Sequence, residues 1–383
     1  MNASFKLILL ILFLVFFIFP IKADAVYDPL SVPNNKMGVH ILYVSELEKA
    51  ASLVNASGGD WGYVTIPIQS NDKDLDKWQE FMNNAKKLHI IPIVRIATTG
   101  DYFNTKVWSK PSFEEVIGFV NFLNSLDWPT KNRYVLIYNE PNRGDEWGGS
   151  PNPQEYAEVL SFAATTFKSR SSDFFIISAG MDNAAANIPG VSINEYDYFW
   201  QMNKAMPGIF EQMDGIGSHS YPNPGFSSSP FANSNESVAS FSLEKNLIES
   251  LSSKKFPVFI TETGWSEIAL SDEQMSDYMD VALKGVWSDS NIAAITPFIL
   301  EAGGPFEQFS LIKSGQKTKR YLAIEKFPKV QGKPEITESS RVLSGSSSGK
   351  LPVIKKKFKN ESSPDLNATF KAFKTFAKWL LRF

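Results

Sequence analysis

The stretch 134–141, Y-V-L-I-Y-N-E-P, constrains what this chain can fold into more than any other. Tyr134, Val135, Leu136, Ile137 and Tyr138 form an unbroken run of strand-forming residues, the pattern of a strand buried on both faces in a parallel sheet. Pro141 ends ladder pairing, so Asn139 and Glu140 are delivered at the strand's carboxyl end. A carboxylate there is costly unless it opens onto a cleft. Taken alone, a Glu capping a neighbouring helix explains the stretch too. The design recurs, however, in 256–264, F-P-V-F-I-T-E-T-G, where Glu262 again stands one step past an apolar strand.

Around these two stretches, strand-like and helix-like segments alternate. Strands are expected at 38–43, 61–68, 90–97, 134–139, 174–179, 213–219, 257–261 and 293–300. Helical patterns fall between them, at 46–55, 74–88, 112–126, 153–169, 195–206, 243–252, 272–287 and 317–327. Ser112 ahead of Glu114 and Glu115, and Ser271 with Gln274, have the spacing of helix-starting capping boxes. Strict alternation implies a parallel α/β sheet, and eight units imply closure into a (β/α)8 TIM barrel. The alternative, an open doubly wound sheet, lacks a G-x-G-x-x-G loop after any strand, so nothing points to a dinucleotide.

The 383 residues divide on composition. In 1–25, Lys6 precedes the charge-free apolar run 7–21, and Ala23-Asp24-Ala25 has the small residues of a cleavage site. That run is short of the ~20 residues of a membrane span. It reads as a signal peptide, with an uncleaved N-terminal anchor as the alternative, and either way the body lies outside the cytoplasm. The barrel is assigned to 26–327. Residues 328–366, with S-G-S-S-S-G-K and I-K-K-K-F-K, read as a flexible basic linker. In 367–383, aromatic and basic residues interleave at helical spacing, the pattern of a basic amphipathic helix. Such a helix suits contact with an anionic membrane or envelope polymer, or docking on an acidic surface.

The whole chain carries a net charge of −3. The first 25 residues contribute +1 and those from Pro328 onward +8, which leaves the body at −12. An acidic body argues against nucleic-acid binding. With no cysteine, disulfides, a thiolate nucleophile and Cys-ligated metals are excluded. The three histidines, His40, His89 and His219, are far apart, so no metal site and no cofactor are expected; only an oxygen-ligated ion such as calcium stays open. A monomer is expected.

In a (β/α)8 barrel, chemistry sits where strands end. The residues to inspect are therefore Asn139 and Glu140 (strand 4), Glu262 and Trp265 (strand 7), His219 and Tyr221 (strand 6), Arg95 (strand 3), His40 (strand 1) and Phe298 (strand 8). Strands 4 and 7 stand three apart in the ring, so their carboxylates face each other across the mouth. Two opposed carboxylates make cleavage of a glycosidic acetal the leading chemistry, one protonating the leaving oxygen and one meeting the oxocarbenium-like carbon. Spacing alone leaves open which Glu does which.

Asn139-Glu140-Pro141 after strand 4, with Glu262 after strand 7, resembles clan A of the retaining glycoside hydrolases over about 36–327. The resemblance implies Glu140 as acid/base, Glu262 as nucleophile, and Asn139 bonded to the hydroxyl beside the reacting carbon. His219 and Tyr221 are similar to the strand-6 pair of many members, in which the Tyr hydroxyl orients the nucleophile. Arg95 is similar to an arginine near that nucleophile. Many members end strand 8 in a tryptophan beneath the sugar; here Phe298 takes that place, able to stack but without an indole donor. Among the loop aromatics, Trp147 and Trp265 are expected to contact carbohydrate, Phe306 is a further platform, and Trp108 fits packing at least as well. His40 reads as structural, and the loop 222–240 as a wall of the cleft. The resulting expectation is an exported, retaining hydrolase of β-linked glycans. A non-catalytic glycan-binding surface protein and a transglycosylase are the alternatives.

Overall fold

A computed structural model describes residues 26–337. The leader 1–25 and the stretch from 338 on, including the amphipathic segment, lie outside the described residues. Strands β1 Gly38–His40, β2 Gly62–Gln69, β3 Ile90–Ala97, β4 Arg133–Ile137 and β5 Phe174–Ser178 pair in parallel in that order. Strands β6 Ile216–His219, β7 Val258–Glu262 and β8 Ile292–Ile295 form a second parallel set. Two seams close the ring. Ile177 bridges Gly215 between β5 and β6, and Met37 bridges Ile295 between β8 and β1, where Leu300 N–H also donates to the His40 carbonyl at 2.9 Å. The expected barrel is present, with each strand within a few residues of its place.

The helices between strands are α1 Leu47–Val54, α2 Leu75–Lys87, α3 Phe113–Ser125, α4 Pro153–Arg170, α5 Glu195–Ala205, α6 Ser240–Ser250 and α7 Asp272–Lys284, and α8 Lys319–Lys326 follows β8. Ser112 with Glu115 and Ser271 with Gln274 close reciprocal capping boxes. Each box satisfies two N–H groups that the helix cannot bond internally. Alternate strand residues divide two cores. Tyr63, Ile93, Tyr134, Leu136, Phe175 and Phe259 fill the barrel interior, while Val64, Val94, Val135, Ile176 and Ile260 pack outward on the helices. Burial on both faces is why these strands carry continuous apolar runs.

One boundary differs from expectation. Residues 328–337, assigned to the flexible linker, form an extended strap across the amino-terminal end of the barrel. Gly332 N–H donates to the Asp60 carbonyl at 2.9 Å, Lys333 N–H to Pro33 at 2.8 Å, and Lys131 N–H to Glu335 at 2.8 Å. Their polar composition resembles a linker, but backbone hydrogen bonding does not depend on side-chain hydrophobicity. The barrel unit thus extends past 327. Among the described residues no helix is long and apolar enough to cross a membrane.

Candidate active site

The site is built where β4 stops. Beyond Ile137 the backbone leaves the strand, with positive φ at Tyr138 (65°) and Glu140 (32°). Strain of this kind costs about 1–3 kcal/mol per residue and persists only where the surroundings enforce it. The turn sends Tyr138 outward onto Trp147, ring centroids 6.4 Å apart, and leaves Asn139 and Glu140 at the barrel mouth. Glu140 N–H is fixed by the Gly180 carbonyl at 3.1 Å. Gly180 is needed for another reason: a Cβ there would lie 2.2 Å from His219 Cδ2, in the space the imidazole occupies.

Glu140 is 8% exposed. Its Oε1 sits 2.8 Å from His219 Nδ1 and its Oε2 accepts from Arg143 at 3.3 Å. Glu262, 7% exposed, is held on both oxygens: Arg95 donates to Oε1 at 2.9 Å and the Tyr221 hydroxyl to Oε2 at 3.0 Å. Arg95 also donates to the Asn139 side-chain oxygen, tying β3 to the end of β4. His219 Nδ1 lies between the carboxylates, 3.9 Å from Glu262 Oε2, and an oxygen of Glu140 and one of Glu262 stand within 4.8 Å of each other. Glu140, His219 and Glu262 are therefore close enough to offer three ligand atoms to one ion. The Arg95 guanidinium on Glu262 opposes a cation there, because it already supplies the positive charge.

Burial opposes charge on both members of the His219–Glu140 pair, yet their neighbours prevail. The His219 imidazole is raised above its ordinary range by the nearby Glu262 charge and its bond to Glu140. The Glu140 carboxyl is lowered by that bond and by Arg143. The neighbours thus favour the imidazolium–carboxylate form of the pair, with one proton shared between His219 and Glu140. His40 differs: buried, and facing Arg95 and His219, it stays well below its usual value and hence neutral. It packs against the edge of Phe298 at 5.1 Å, with Nε2 3.7 Å from Glu262.

These groups open onto a cleft of about 380 Å³. Of the residues expected at the site, Asn139, Glu140, Arg95, Tyr221, Glu262 and Phe298 line it, and His219 lies directly behind the two carboxylates. The loop after β6 contributes Phe226, so 222–240 does form part of the wall. Two expectations need correction. Trp265 is 1% exposed and turns away from the cleft, its ring packed on Tyr278 and Trp287 and its Nε1 donating to the Ser228 carbonyl at 2.8 Å. The turn at Gly264, φ 150°, reverses the strand's facing so soon after Glu262 that nearness in sequence does not carry the ring inward. Trp147 borders the cleft but is also 1% exposed, edge-on to Tyr138 and Tyr156, and so presents no face to a sugar. Trp265→Ala is accordingly a core-cavity variant, expected to lower stability by about 3–5 kcal/mol in denaturant unfolding.

Aromatic surface comes instead from Trp108, Tyr102 and Phe306. Sequence reasoning missed three charged residues. Arg143 bridges Glu140, Asp145 and Asp182. In Asp182, burial and the Glu140 charge raise the carboxyl. In Glu146, burial and then the same charge push it up to about 7. Arg143 and Glu146 lie three and six positions past Glu140 on its own loop, a signal that was present; Asp182 had none.

No protein-family model and no curated protein sequence matches the chain. Solved structures do. A GH39 β-xylosidase from Caulobacter crescentus aligns with a TM-score of 0.54 at 16% identity, covering 77% of this chain and 71% of that one. A family 39 glycoside hydrolase from Bacteroides cellulosilyticus WH2 aligns at 0.54 and 17% identity, covering 78% and 64%. The exo-β-1,4-mannosidase Op5Man5 from Opitutaceae bacterium strain TAV5 aligns at 0.52 and 12% identity, covering 81% and 62%. At these identities the likeness is one of fold, and it places this chain among (β/α)8 barrels of the kind found in glycoside hydrolases.

Proposed function

We propose that the protein is a retaining glycoside hydrolase acting on β-linked glycans. The observation that carries this reading is that Glu140 and Glu262 open onto one cleft with an oxygen of one carboxyl group within 4.8 Å of an oxygen of the other. Retaining enzymes hold their carboxyl groups ~5–5.5 Å apart, whereas inverting ones leave room for water at ~6.5–9.5 Å.

The surroundings divide the roles. Glu262, anchored by Arg95 and Tyr221, is an oriented carboxylate suited to attack the anomeric carbon. Burial pushes the Tyr221 phenol well above its ordinary value, so it remains a donor. Glu140 is bonded to the proton-bearing His219 and has a supply of the proton the leaving oxygen needs. In the first step a Glu262 oxygen bonds to the anomeric carbon as the bond to the leaving oxygen breaks, and that oxygen takes from Glu140 the proton that His219 passes to it across their 2.8 Å contact. In the second, Glu140 accepts a proton from water, whose oxygen bonds to the anomeric carbon and releases Glu262. The apolar run 7–21, outside the described residues, supports action outside the cytoplasm.

Aryl β-xylosides, β-glucosides and β-mannosides test the reading. Turnover of at least one, with the β anomer formed first by proton NMR, is expected. First formation of the α anomer, or no turnover beyond that of Glu262→Ala, defeats it.

The His219–Glu140 pair also predicts a pH dependence of stability. A raised His contributes fully below its unfolded pKa, near 6.5, and loses that contribution as pH rises through the folded value. A lowered Glu contributes above its unfolded pKa, near 4.5, and loses it as pH falls through the folded value. The Tm difference between wild type and His219→Gln should therefore be greatest between about pH 4.5 and 6.5 and narrow on either side. A difference independent of pH would show that the pair does not share a proton.

A further inference from the structure

The two ends of the cleft are not alike. Glu140, which meets the leaving oxygen, is flanked by Arg143 and Asp182 on the loops after β4 and β5, so the leaving group departs on that side. Glu262, which takes the sugar, is flanked by Arg95 and His40, and His40 in turn packs on Phe298. A sugar resting on Phe298, the cleft aromatic on this side of Glu262, lies toward β8 and β1. On that side the loop after β3 reaches over the mouth. Phe103 sits 5.8 Å, ring to ring, from Phe306 on the loop after β8, and Phe306 stands edge-on to Phe298 at 5.3 Å. The approach is close at the backbone too, since a Cβ on Gly304 would meet Phe103 Cδ1 at 3.4 Å.

Beyond this aromatic contact lie two more depressions that meet along Tyr43, and Phe103 borders all three spaces. Phe103 therefore stands between the catalytic cleft and both depressions, alone on the side of Gly303 and Gly304 and beside Leu42 and Tyr102 on the side of Gln69. The cleft itself, about 380 Å³, is near the lower end of the ~300–1,000 Å³ of small-molecule sites.

Resting on the glycosidase reading above, we infer that Phe103 and Phe306 form an end wall that makes the enzyme exo-acting. It removes one or two sugars at a time from the non-reducing end of its glycan. The wall is a specificity determinant: it touches the outer edge of the bound sugar and leaves the bond-breaking groups as they are.

Reducing-end-labelled β-linked xylo-, gluco- and manno-hexasaccharides test this, with the aryl β-glycosides run alongside. Wild type should release products shortened by one or two sugars first, the label staying on the long fragment. The Phe103→Ala, Phe306→Ala double variant should add labelled mid-chain fragments, because the wall no longer separates the cleft from the space beside Tyr43. Mid-chain fragments from wild type at the earliest times, with aryl glycosides still cleaved, overturn the wall and leave the glycosidase reading standing. A double variant that turns over aryl glycosides but still trims only from the end also overturns the wall. Absence of cleavage of every hexasaccharide and aryl glycoside by wild type overturns both.

Discussion

Glu262→Ala and Glu262→Gln are both expected to lower kcat by roughly 10⁴–10⁶-fold, the scale of removing an indispensable catalytic group. Neither side chain can form the covalent bond to the anomeric carbon, so the loss is one of chemistry rather than affinity. The two variants separate catalysis from stability. Glu262 accepts from Arg95 and Tyr221, and Arg95 is only 8% exposed. Alanine leaves that buried guanidinium without its carboxylate, a change that costs about 3–5 kcal/mol in other buried pairs. Glutamine keeps an oxygen toward one donor and should unfold closer to wild type. Side-by-side kinetics and denaturant melts check both statements. A Glu262→Gln enzyme with kcat near wild type would remove Glu262 from the mechanism.

Glu140→Ala should act unevenly across substrates. General acid catalysis contributes about 10²–10⁴-fold, and that loss should appear in full with sugar or alkoxide leaving groups. Aryl leaving groups of low basicity depart without a proton, so their first step is nearly spared. Their second step is not, because the same residue activates water. The glycosyl-enzyme should then accumulate and be visible by mass spectrometry as a covalent adduct on Glu262. Equal losses for good and poor leaving groups, with no adduct, would contradict the acid/base assignment. His219 is fully buried and also loses its carboxylate partner, so Glu140→Gln is the companion variant that preserves an acceptor there.

The placement of Glu140 and Glu262 was legible in the sequence because a strand buried on both faces must be continuously apolar, and the first polar residues after it mark its end. The helix starts at Ser112 and Ser271 were legible for an equally local reason, the reach of a side chain to the N–H three residues on. The failures share the opposite character. Trp265 follows β7 closely, yet the turn at Gly264 points its ring into the packing between α7 and Trp287. Trp147 reaches the cleft but spends its faces on Tyr138 and Tyr156. Asp182 enters the site only because the loop after β5 passes beside Arg143. The strap at 328–337 has a linker's composition and a strand's backbone pairing.

By itself, the sequence determined the eightfold alternation of strand and helix, and with it the ring on which two distant glutamates must face each other. That information is local, carried by apolar periodicity and by the residues that stop it. Only the tertiary structure decided which side chains neighbour those glutamates, which tryptophans are core, and where the loop after β3 meets the loop after β8. Those outcomes depend on how loops from different strands pack against one another, and no spacing along the chain encodes the direction in which a loop side chain finally points.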